Sequence, residues 1–303
     1  MLASLMILIS LAACSFEPGK TDASSSNDIS SDSPSATEST RKPEDSESET
    51  EKESETETET ETETETDPEP ETISLKIGSY NIANGSVVKH DISKLGEDIK
   101  NQGLDIVGVQ EVDYLANRSG KIDTMKLLSE SSGLQYYTFF KAISIAGGYY
   151  GLGVLSRYPI VEKESTKLYS GTEEQRIVAK TVIDVNGTSI NFFVTHLSFE
   201  AKLLRDKQFE KIASLTAECD NFIVVGDFNT ADFAEYAPIK NSGMVNNSTY
   251  KVVTFPSSSS SIDNIVFSSN NWTFDKPKVL TNGHSDHNLL YATGTFMIKT
   301  DKD

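Results

Sequence analysis

The chain has 303 residues, 46 acidic against 27 basic, and a formal net charge of −19. Residues 1–71 hold 20 of the acids and 4 of the bases, so residues 72–303 carry 26 and 23 and sit near neutrality at −3. That excludes an overall basic balance and weighs against a high-affinity nucleic-acid binder, although a local basic groove fits within a neutral total. Two cysteines, Cys14 and Cys219, exclude a disulfide-stapled scaffold.

Residues 1–14 form an apolar run ending in Leu11-Ala12-Ala13-Cys14, too short for a mature membrane-spanning helix and without a basic n-region. The run reads as a secretory signal with a lipoprotein cleavage box, which makes Cys14 the lipidated residue. A diacylated cysteine supplies the two chains that stable anchoring needs. Residues 15–71 are Ser, Thr, Glu, Asp and Pro without apolar periodicity, with an alternating Glu-Thr tract at 55–66. Such a segment cannot bury enough apolar surface to order itself, so a disordered acidic stalk is expected. The expected location is exported and lipid-anchored to the cell membrane, with the domain facing outside.

The folded domain is expected over 72–303, long enough for one large core. Residues 73–82 alternate apolar and polar as a strand with one buried face. A helix at 91–102 carries Ile92, Leu95 and Ile99 on one stripe, with Asp91 or Ser93 as its cap. A short buried strand at 105–110, a helix at 123–131 and strands at 135–140 and 151–156 follow, the last halted by Pro159. Strands 177–185 and 188–195 form a hairpin across Asn186-Gly187. The helix at 201–218 is expected to pack through Leu203, Leu204, Ile212 and Leu215. Strands at 222–226, 262–268, 272–279 and 289–298 complete the set. Strands outnumber helices and hairpins are present, so the spacing predicts an α+β sandwich, two sheets face to face with helices outside.

Five short strings sit at the ends of these apolar runs: Ser79-Tyr80-Asn81, Gln110-Glu111, Thr195-His196-Leu197, Gly226-Asp227-Phe228-Asn229 and Ser285-Asp286-His287. Their residue types suit metal-assisted attack of water on a phosphate ester. Glu111 is the best carboxylate ligand for a hard cation, and Asn81 offers an amide oxygen to the same ion or its water. Asp227 and Asn229 alternate around Phe228, so an Asp that activates water stands beside an Asn that steers phosphate. Gly226 lets the backbone turn sharply or approach a ligand. His196 and His287 can bear charge in the transition state and want carboxylates to fix their tautomers, with Asp263 and Asp286 placed to serve and their pairing open. His90 and His284 read as surface residues.

This pattern resembles the endonuclease/exonuclease/phosphatase superfamily over 73–297, and within it the small bacterial metal-dependent hydrolases. The resemblance extends to Gln110-Glu-Val-Asp113, Arg118-Ser-Gly120 with Asp123, Tyr150-Gly151, Leu155-Ser-Arg-Tyr-Pro159, Glu174-Gln-Arg176, Arg205 with Gln208, and Thr254-Phe-Pro256. It implies a four-layer fold of two mainly antiparallel sheets and Mg²⁺ or Mn²⁺ on Asn81 and Glu111. It also implies Asp227 acting on the nucleophilic water, Asn229 on the phosphate, and His196 and His287 bracketing the scissile group. Asp263 and Asp286 are then histidine orienters or second-metal ligands, and Arg118, Arg176 and Tyr150 substrate contacts, with a structural Arg176–Glu174 ion pair as the alternative. The shared core does not separate nucleases from sphingomyelinases or inositol phosphatases. The partners expected are a phosphoester substrate, nucleic acid included, and a membrane reached through the lipid anchor, with the chain a monomer. Tyr149, Tyr150, Phe233 and Tyr236 could stack a base, touch acyl chains or be ordinary turn aromatics. A binding protein without turnover is the reading from a different class.

Overall fold

The structure is a computed structural model and describes residues 71–298. The expected signal, Cys14 and the acidic stalk lie outside the described residues.

Thirteen strands and three α-helices follow in chain order among the described residues. β1 (Thr72–Asn81), α1 (Ile92–Asn101) and β2 (Ile106–Tyr114) make a parallel strand–helix–strand unit. α2 (Thr124–Ser132) then leads to the hairpin of β3 (Tyr136–Ile145) and β4 (Gly148–Ser156). β5 (Ile160–Lys167), β6 (Ile177–Val185) and β7 (Thr188–His196) run antiparallel, and α3 (Lys202–Thr216) crosses over to β8 (Ile223–Asp227), parallel to β7. β9 (Ser242–Met244), β10 (Asp263–Ser268), β11 (Trp272–Phe274), β12 (Lys278–Leu280) and β13 (Leu289–Met297) complete the sheets.

One sheet has seven strands, in the order β11-β13-β1-β2-β4-β3 with β12 also on β13; the other has six, in the order β5-β6-β7-β8-β10-β9. Apart from β1–β2 and β7–β8, the pairings are antiparallel. The sheets face one another across a core that includes Ile77, Ile106, Val154, Phe192, Val194, Val225 and Trp272. Ile92, Leu95 and Ile99 of α1, with Met125 and Leu128 of α2, cover the outer face of the first sheet. Phe209 and Ile212 of α3 cover the second. These are the four layers the sequence implied. Closeness at the centre depends on Gly108, where a Cβ would lie 2.2 Å from Val225 Cγ2 of the opposite sheet.

Several expectations change. Of the stripe expected on α3, Ile212 is buried and Leu215 packs on the core, but Leu203 is exposed, and the helix also buries Gln208, Phe209 and Thr216. β5 escaped the pattern because it is an edge strand with almost no buried face, and charged edges of this kind resist pairing with other chains. The strand expected at 272–279 divides into β11 and β12 across Asp275-Lys276-Pro277, where proline has no N–H for a ladder. Tyr149 and Tyr150 lie within β4, after a tight turn at Ala146 (φ 47°) and Gly147 (φ 79°), so they are strand residues and not turn aromatics. Tyr236 is core, packed on Phe209 and Phe228, so it is not free to stack on a ligand. Gly226 lies inside β8, where a Cβ would meet the Thr195 carbonyl at 2.3 Å; strand packing, not ligand approach, requires it.

Candidate active site

The topology gathers residues far apart in sequence at one edge of the sandwich. Asn81 ends β1, His196 ends β7 and Asp227 ends β8, all at the carboxyl ends of the two central parallel pairs. β10 and β13 run the other way, so Asp263, paired with Asp227, and His287, two residues before β13, arrive at the same edge from their amino ends.

Glu111 reaches the site by a device the sequence did not show. It lies within β2, not at the strand's end, in a bulge where Gln110 and Glu111 together oppose Leu152 between the pairs Val109–Gly153 and Val112–Gly151. Its φ of 58° is left-handed, an unusual state for glutamate that a bulge can impose to re-aim a side chain. Asn229, with φ 52°, is the second strained position in the site.

Asn81 sits between the two sheets. Its Nδ2 donates to Glu111 Oε1 and to Asp227 Oδ2, both at 3.1 Å, while its Oδ1 accepts from the Ala83 N–H. Asp227 Oδ1 accepts from the Asn229 N–H at 3.0 Å, and Oδ2 lies 3.5 Å from His196 Nε2 and 3.7 Å from His287 Nε2. The open pairing resolves here, because His287 Nδ1 is 2.9 Å from Asp263 Oδ2. Phe255, half-buried, lies against the His287 ring at 4.6 Å between centroids. Thr254 Oγ1 accepts from the Asp263 N–H, a scaffold whose role the sequence left unassigned.

The electrostatics divide the two histidines. Burial, with the Arg176 and His287 charges adding, holds His196 well below the ordinary imidazole range, so it is neutral at pH 7. Burial also opposes charge on His287, but Asp263, Asp227 and Asp286 outweigh it and raise its pKa to about 10. Burial first, then the Asp263 charge, pushes Asp227 well above the usual carboxylate range. Burial likewise raises Glu111, with Asp286 adding to the effect and the Asn81 hydrogen bond opposing it.

The remaining candidates flank this array. Tyr150, Glu174, Arg176 and His196 line a small, half-open cleft. Arg176 is buried and forms the 3.1 Å ion pair with Glu174, yet its Nε has no partner among the described residues. Arg118 stacks on Tyr150 at 5.3 Å and forks onto buried Asp113 at 2.8 and 2.7 Å. Asp286 is exposed beside the array, its Oδ1 accepting from Ser285 Oγ. Asn229 Nδ2 donates to the Leu197 carbonyl, and Gln208 ties Ser198 to the Tyr169 carbonyl, which fixes the segment after His196. Arg205 is occupied structurally by Glu235.

The donor set suits a hard cation. Glu111 and Asp286 offer only oxygens, and the four carboxylates of the cluster exceed the charges of Arg176 and His287. Asn81, expected to share the ion through its amide oxygen, instead turns its nitrogen to Glu111 and its oxygen to the Ala83 N–H. Asp227, Asp263 and His287 also converge within 4.8 Å. His287's proton, held between the two carboxylates, supplies the positive charge there.

The sequence pattern of the endonuclease/exonuclease/phosphatase family matches residues 78–287. The chain belongs to that family. No curated protein matches it. Solved structures do, among them an endonuclease/exonuclease/phosphatase from Beutenbergia cavernae at 18% identity and TM-score 0.64, covering 74% of this chain and 72% of that one. The mannosyl-6-phosphatase Bt3783 of Bacteroides thetaiotaomicron is 19% identical with TM-score 0.54 over 72% and 98% of the chains. D. rerio TDP2 in complex with a single-strand DNA product gives 19% and 0.58 over 73% and 98%. At these identities the likeness is one of fold.

Proposed function

We propose that the protein is a divalent-metal-dependent phosphoester hydrolase, exported and lipid-anchored through Cys14 as a monomer. The observation that carries the reading is the array of hydrogen bonds, closed by the 3.7 Å contact of Asp227 with His287, that joins Glu111, Asn81, Asp227, His287 and Asp263 across both sheets. All three activities in the family's name hydrolyse phosphate esters.

Glu111 and Asp286 would hold Mg²⁺ or Mn²⁺, with Asn81 joining them only if its amide turned its oxygen toward Glu111, and the ion when bound neutralises charge on the phosphoryl oxygens. Asp227 accepts a proton from the attacking water. Its raised pKa keeps it basic enough for that task near neutral pH. His287, charged and oriented by Asp263, hydrogen-bonds the phosphoryl group and gives its proton to the leaving oxygen. Neutral His196 contributes one ring N–H, Asn229 its second amide N–H, and Arg176 the unpartnered Nε toward the non-bridging oxygens. Tyr150 and Arg118 border the bound ester.

The similar structures include a mannosyl-6-phosphatase and a complex with single-strand DNA, so the decisive experiment spans substrate classes. Purified protein is assayed with Mg²⁺ on plasmid DNA, sphingomyelin, inositol phosphates and a sugar 6-phosphate, with His287→Ala as the blank. Turnover of one class, abolished by EDTA and by the substitution, supports the proposal and names the substrate group. Silence on all, with no metal uptake in calorimetry, returns the chain to a binding protein.

A further inference from the structure

The segment between β12 and β13 carries Asp286 and His287, and it is fastened by Asp98, which lies outside the array described above, and by the backbone of Asn81. Asp98 of α1, buried, accepts hydrogen bonds from the Tyr80 hydroxyl at 2.7 Å, from the His284 backbone N–H at 2.8 Å and from His284 Nδ1 at 2.9 Å. The next residue, Ser285, donates its hydroxyl to the Asn81 carbonyl at 2.7 Å. Tyr80 and Asn81 are the last two residues of β1, so both attachments lead to the same strand end.

A buried carboxylate is costly unless its oxygens are satisfied. Two of the three donors to Asp98 come from one residue of the segment 281–288. A backbone N–H and a ring N–H on the same carboxylate fix both the path of the chain and the rotation of the residue. His284 precedes Asp286 by two positions and His287 by three, too few bonds for an error in its placement to be absorbed.

We propose that Asp98 and His284 are positioning residues, a clamp that holds segment 281–288 against the end of β1 and so sets His287 and Asp286 in register with Asp227 and Glu111. The clamp rests on the hydrolytic reading of the site. It needs no particular charge on His284, because Nδ1–H donates in both the neutral tautomer and the imidazolium.

His284→Ala in the full-length protein tests the clamp, read by kcat and KM, by the downfield proton resonance of the His287 Nδ1–H, and by Tm. A displacement of about 1 Å at a reacting group can cost about 100-fold. The expected result is therefore a fall in kcat of roughly ten- to a hundredfold with KM nearly unchanged, and a shifted or broadened His287 resonance. His284→Asn, whose amide nitrogen occupies the place of Nδ1, should restore both. Should His284→Ala not fold, His284→Gln takes its place: it keeps the bulk but carries its amide one methylene too far, and the same two changes are expected. An unchanged kcat with an unchanged resonance overturns the clamp, even if Tm falls. So does an Asn variant that recovers Tm but neither readout. If the wild type hydrolyses no phosphoester, the hydrolytic reading fails and the resonance alone decides the clamp.

Discussion

Asn81 Nδ2 and Asp227 Oδ2 lie 3.1 Å apart across 146 residues of sequence, one at the end of β1 in the first sheet and the other at the end of β8 in the second. This hydrogen bond joins the two halves of the sandwich at the site. Since the same amino group also holds Glu111, Asn81 fixes the spacing of the two carboxylates that the proposed chemistry uses.

Asn81→Ala removes both bonds and leaves the buried Asp227 and half-buried Glu111 carboxylates without their shared donor. Loss of one well-placed donor costs about 10²–10³ in kcat, and a fall in that range is expected with the fold intact by circular dichroism. A kcat within about threefold of wild type would show that Asn81 has no part in the chemistry.

Asp263→Asn tests the orientation of His287. The amide cannot serve both as charge partner and as acceptor in the present geometry, so the ring loses its fixed tautomer. A drop of about 10²–10⁴ in kcat is expected, with KM little changed. Equal effects on kcat and on Tm-limited activity would instead mark Asp263 as a fold residue.

The pattern of strands and the site strings are legible in the sequence because each catalytic candidate follows or precedes a buried apolar run, as Asp227 follows Ile223–Gly226 and His196 follows Phe192–Thr195. The bulge at Glu111 is not. A strand that ends at Gln110 and a strand that bends through Glu111 have the same apolar pattern up to that point, and only the pairing with β4 shows the extra residue. His284 looks like a surface residue for a related reason: its partner Asp98 is 186 residues away on α1, at what reads as a solvent-facing helix position. β5 has no buried face to give a period.

Stability should depend on pH through His287. Its folded pKa of about 10 lies above the ordinary value of 6.5, so between those limits the folded state binds more protons than the unfolded one. The stabilisation is thus complete below pH 6.5 and lost as pH rises through 10. Asp227, raised from 3.8 to about 7, acts in the same direction but at lower pH, its share being lost as pH rises through 7. In EDTA, the unfolding free energy from urea titration is expected to fall across this window by up to a few kcal/mol, since each tenfold difference in proton affinity between the two states is worth about 1.4 kcal/mol. His287→Ala should flatten the slope; an unchanged slope would place the charge elsewhere.

Arg176→Ala should act on substrate more than on folding. Its partner Glu174 is exposed enough to be rehydrated, while the buried Nε has no partner among the described residues. A rise in KM of about ten- to a hundredfold is expected from loss of a charge-assisted contact, without rescue by Arg176→Lys, which lacks the fork. A Tm change of many degrees with KM constant would assign Arg176 to the ion pair alone.

The most direct test of the site pairs Mn²⁺ titration calorimetry with phosphoester turnover on the same preparations of wild type and Glu111→Gln, an isosteric change that removes the candidate ligand's charge. Wild type is expected to bind the ion and to lose turnover in EDTA, and Glu111→Gln to lose both binding and turnover together. Turnover in the variant equal to wild type, or wild-type turnover indifferent to EDTA, would contradict a metal held by Glu111 at the centre of the chemistry.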